Sequence, residues 1–205
     1  RPKGFREVRP FPKDLRAAHG FDNQSDQLTL SPLLLDSFLK LSVSILQSPD
    51  FNEQTVGIWK EFFAAPQNPV DLEKEIRQRL NPFLNLAFRS KVEEEVVDRY
   101  VRYAHVHVKS EESFPIGMKK VASAILSSPL FLFRHEIVDK DDPYALASCL
   151  SYSLWGSCPD SELLKAAEDG KLVNPKHLAD IVDTMLKDPK IERFLDSFPS
   201  QWMQL

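Results

Sequence analysis

The sequence predicts an all-α protein, a multi-helix, bundle-like assembly with an irregular N-terminal segment. Three observations carry that expectation. Apolar residues recur at i, i+3, i+4 and i+7 in segment after segment. Polar residue–proline pairs stand at the heads of several of these segments: Ser31-Pro32, Asp142-Pro143, Asn174-Pro175 and Asp188-Pro189. Each fits an N-cap followed by a proline at the first helical position, where the missing N–H is not needed. Alternating Val/Ile/Thr runs bounded by glycine turns, the mark of strands, are not seen.

Residues 1–30 carry three early prolines and then "HGFDNQSDQLTL", which reads as irregular. The first helix is expected at 32–47. After a loop through Ser48-Pro49, "EQTVGIWKEFFA" reads as a short helix. The next segment places Leu72, Ile76, Leu80, Leu84 and Phe88 on one stripe, with Pro82 expected to kink it or split it at Asn81. A helix at 92–108 carries Val97, Val101, Ala104 and Val108; one at 115–127 carries Met118, Val121, Ala122 and Ile125. Toward the C-terminus, helix 143–155 presents Leu146, Leu150 and Leu154. Helix 158–169 stops at Gly170, a residue suited to the left-handed position after a helix. Helix 175–187 aligns Leu178, Ile181, Val182 and Met185. Helix 189–204 aligns Ile191, Phe194, Leu195, Phe198 and Trp202, with Pro199 expected to bend or interrupt it.

The organisation divides into three parts: 1–66 with the first helix, a central helical domain at 67–138, and a C-terminal helical domain at 139–205 that reads as truncated. With 42% apolar residues, 14 Phe and 3 Trp, the 205-residue chain can bury a real core. A net charge of −4 argues against a general nucleic-acid binder, which would show a basic stripe. No run reaches the length a membrane span needs, about 18–20 apolar residues. The charged, proline-rich opening has no apolar core of a signal peptide.

Candidate chemistry is sparse. Cys149 and Cys158 stand nine apart. On one continuous helix they would face opposite sides and lie about 13 Å apart, too far for a disulfide. Cys149 reads as a small buried hydrophobe. Ser157 and Asp160 read as a capping box that puts Cys158 at the first helical position, where a thiolate is favoured. His105 and His107 are two apart and point to different faces of a helix; His135-Glu136 lacks a second His, and His19 and His177 are isolated. No metal site is expected from them. Asp22, Asn23 and Asp26 suggest a calcium loop, but Gln27 and Leu33 stand where it would need Gly and Glu, so an Asx-rich turn is favoured. "KVEEEVVDR" reads as a solvated helix start whose acids suit the dipole. There is no phosphate loop, no GxSxG and no CxxCH haem-attachment sequence.

Several motifs are nonetheless distinctive. "HGFDNQSDQLTLSPLLLDSFL" resembles a planctomycete-type domain of unknown function with the pattern GFDN-x-x-D-x-L-x-x-SPLLL. "FLNLAFRSKVEEEVVDRYV" with "SSPLFLFRHE" resembles the next domain of the same cassette. "YALASCLSYSLWGSCPDSELLKAAEDGKL" with "MLKDPKIERFLDSFPSQWMQL" resembles a third. Cys149, Ser153 and Pro199 depart from the usual residues, as does "AFRSK". The resemblance implies a large exported bacterial protein of the periplasm or cell envelope with c-type cytochrome domains nearby. It implies no cofactor in this chain, any haem c lying in a neighbouring domain of the parent. Partners would be neighbouring domains or a c-type cytochrome.

The leading expectation is therefore a non-catalytic structural or interaction module. Two rivals stand beside it. One is part of an envelope oxidoreductase or polysaccharide-acting enzyme whose site needs segments outside this chain. Its first candidate residues are Arg134 and Glu136 in "FRHE" and Asp160 and Glu162 in "PDSEL", which also suit salt bridges and helix caps. The other is a cytosolic helical adaptor.

Overall fold

A computed structural model describes residues 31–67, 71–111, 113–133 and 142–203. The described residues form helices joined by turns and loops, without strands, and no helix among them is long and apolar enough to cross a membrane. Among the described residues nine α-helices run in order: α1 Pro32–Leu46, α2 Leu72–Phe88, α3 Glu94–Ser110, α4 Phe114–Leu126, α5 Pro129–Leu132, α6 Pro143–Trp155, α7 Ser161–Glu168, α8 Pro175–Lys187 and α9 Glu192–Met203. Chain contacts divide them into two units, one holding α1–α5 and the other α6–α9.

The caps form as the sequence dictates. Ser31, Asp142, Asn174 and Asp188 each accept a backbone N–H through the side chain, with proline next in the chain. Ser128 does the same ahead of Pro129. Each satisfies an N–H that has no partner within its helix.

In the N-terminal unit the predicted stripes are the core. Ile76, Leu80 and Leu84 on α2, Val97, Val101 and Ala104 on α3, and Met118, Val121, Ala122 and Ile125 on α4 are all buried in one cluster. Gly117 lets α4 approach α3: a Cβ there would stand 2.8 Å from the Val108 Cα. Pro82 neither splits nor ends α2. It lies on the exposed face with Gln78, whose carbonyl it cannot pair, so water can take that carbonyl while Leu80 and Leu84 stay packed on the other side.

The "EQTVGIWKEFFA" stretch forms a short π-helical turn, Trp59–Phe63, instead of an ordinary helix. It buries Phe62 and Phe63, and two cations secure it. The Arg79 guanidinium donates to the Ala64 carbonyl at 2.5 Å, and the Lys119 ammonium donates to the Phe51 carbonyl at 2.9 Å beneath the Phe51 and Trp59 rings. Burial lowers the Lys119 pKa from its ordinary value.

α1 buries two serines beside Leu46. Ser37 and Ser42 are buried, while Leu33, Leu39 and Ile45 are exposed. Small residues let α1 lie close to α4: the Ser42 hydroxyl donates to the Ser123 carbonyl at 3.3 Å, and Ser123 is itself buried.

The C-terminal unit has a smaller core of Ala147, Trp155, Leu163, Ala167, Leu172 and Met185. On α6 the buried face is Ala147, Ser148, Ser151 and Trp155; the expected stripe of Leu146, Leu150 and Leu154 is only partly buried beside it. Trp155 is the bulkiest group on the helix, and seating it turns the leucines to the flank. Gly156 and Gly170 take left-handed φ values of 59° and 69° after α6 and α7, a conformation that a Cβ disfavours. α9 continues through Pro199, and its Phe198 and Trp202 rings are exposed.

Candidate functional site

The sequence singles out two places, "FRHE" and "PDSEL". Arg134 and Glu136, with His135, lie outside the described residues, as do His19, Asp22, Asn23 and Asp26. Asp160 and Glu162 open α7 in the C-terminal unit and line a cavity of about 350 Å³.

Asp160 is committed twice. One carboxylate oxygen accepts the Leu163 N–H at 3.0 Å, making Asp160 the N-cap of α7. The other takes the Lys190 ammonium at 3.0 Å. That ammonium also lies 3.5 Å from Asp188 and 3.7 Å from the centroid of the Trp155 ring. Its bond to Asp160 is the main cause that raises its pKa above the usual lysine value. Trp155 is fixed at its other edge, its indole N–H donating to the Met185 carbonyl at 3.1 Å. Asp188 holds Lys190 by the backbone as well, accepting its N–H at 2.8 Å. Aromatic face, ammonium and two carboxylates therefore form a closed lock joining the end of α6, the start of α7 and the turn after α8.

This geometry corrects the capping box read around Cys158. α7 begins at Ser161 with Asp160 as its cap, and Cys158 lies three residues before the helix. The reason was present in the sequence: Pro159 follows Cys158 and drives it out of helical conformation. Cys158 therefore loses the helix-terminus argument for a thiolate. Its sulfur sits 3.0 Å from the Tyr152 hydroxyl, and both cysteines are free thiols.

Among the described residues no three His, Cys, Asp or Glu side chains are grouped as a metal site. His105 and His107 lie on α3, and the His107 ring packs edge-on against Tyr103. Sequence reasoning missed Trp155 and Lys190 as site residues. Lys190, two residues after the Asp188 cap, was the available signal.

The chain matches three protein families in order. Residues 4–48 match PSD3, a protein of unknown function (DUF1587). Residues 75–136 match PSD5, also of unknown function (DUF1595), and residues 142–205 match PSD4, of unknown function (DUF1592). These are the three domains of the planctomycete-type cassette that the motifs resemble. The PSD4 match spans α6–α9 and so contains the whole cavity. No curated protein and no solved structure matches the chain.

Proposed function

We propose that this chain is a non-catalytic structural and interaction module of an exported, cytochrome-associated multidomain protein of the cell envelope. The observation that carries the reading is the double engagement of Asp160. Both its oxygens serve the fold, one as a helix cap and one in the Trp155–Lys190–Asp188 lock. A general acid or base needs a carboxyl group free to exchange a proton with substrate, and this one is tied on both sides. The ordered run of three families of unknown function supports a cassette whose segments work together.

The test is made on the complete parent protein, assayed for electron transfer and for turnover of oxidisable sugars. Asp160→Asn and Glu162→Gln are expected to leave any turnover within about twofold of the parent. A loss of several orders of magnitude, the usual cost of removing an acid–base group, with the fold intact, would make the site catalytic. Sequencing the complete gene tests the context: a leader peptide and a CxxCH segment are expected, and their absence would return the cytosolic adaptor to first place.

A further inference from the structure

No further inference is drawn: the strongest candidate, the exposed apolar face that Leu195, Phe198, Trp202 and Met203 form on α9 of the C-terminal unit, carries nothing because nothing in the structure shows what covers it.

Discussion

In the N-terminal unit, Ile76, Leu80, Leu84, Val101 and Ile125 meet in a core built from long stripes on three helices. In the C-terminal unit, the core is six residues around one indole, and much of the specific fastening is polar: the Trp155 N–H on Met185, Lys190 on Asp160, and caps at Asp142, Asp160, Asn174 and Asp188. The first unit spreads its stability over many interchangeable apolar contacts. The second concentrates it in a few groups whose identity matters, among them Trp155, Asp160, Met185 and Asp188, which also line the cavity.

The largest expected difference is at the two centres. Trp155→Ala should cost about 3–5 kcal/mol and unfold the C-terminal unit first, seen as early loss of amide protection in α6–α8. If protection is lost in α2–α4 instead, the contrast between the units fails. Gly117→Ala should destabilise the N-terminal unit by about 1–3 kcal/mol, because its Cβ meets backbone that cannot turn aside. Urea denaturation checks this, and an unchanged midpoint would mean that α3 and α4 are not in close contact. Gly170→Ala should cost about 1 kcal/mol through its φ of 69°, leaving the N-terminal unit untouched.

The smallest expected effect is on pH, and its sign differs between the units. Lys190 has a raised pKa in the fold, mainly from its bond to Asp160. Its contribution is present below the ordinary lysine value of 10.5 and is lost as pH rises through the raised folded value. Tyr144, raised chiefly by burial, acts in the same direction above its ordinary 10.0, because ionising it is harder in the fold. Lys119, lowered by burial, does the opposite: stability rises as pH passes through its folded value toward 10.5. Thermal melts between about pH 9 and 11 should show Lys190→Met flattening a fall and Lys119→Met flattening a rise. Discounted for solvent screening at these half-buried positions, both slopes should be small.

Much of the fold was legible because helical periodicity and capping are local. Helices 143–155 and 175–187 stand where the caps put them, and the α2–α4 stripes are the core. What was not legible depended on distant partners. Nothing local says that Ser37 and Ser42, rather than the neighbouring leucines, face inward; the buried Ser123 of α4 decides it. Nothing local shows that Lys190 reaches Asp160, thirty residues away in the chain. Of the four candidate site residues, Asp160 and Glu162 share one cavity wall, and Arg134 and Glu136 lie outside the described residues. α7 starts at Ser161 and not at Cys158 because the proline that follows Cys158 outweighs the Ser157 capping signal.

The central claim is that the Asp160 carboxylate serves the fold. Hydrogen exchange of the Leu163 amide, which donates to it at 3.0 Å, tests this most directly. Asp160→Ala should speed that exchange and lower the stability of the C-terminal unit by about 1–2 kcal/mol, while Asp160→Asn, which can still cap, should recover most of the protection. Unchanged protection of Leu163 in Asp160→Ala would contradict the account and free the carboxylate for other chemistry.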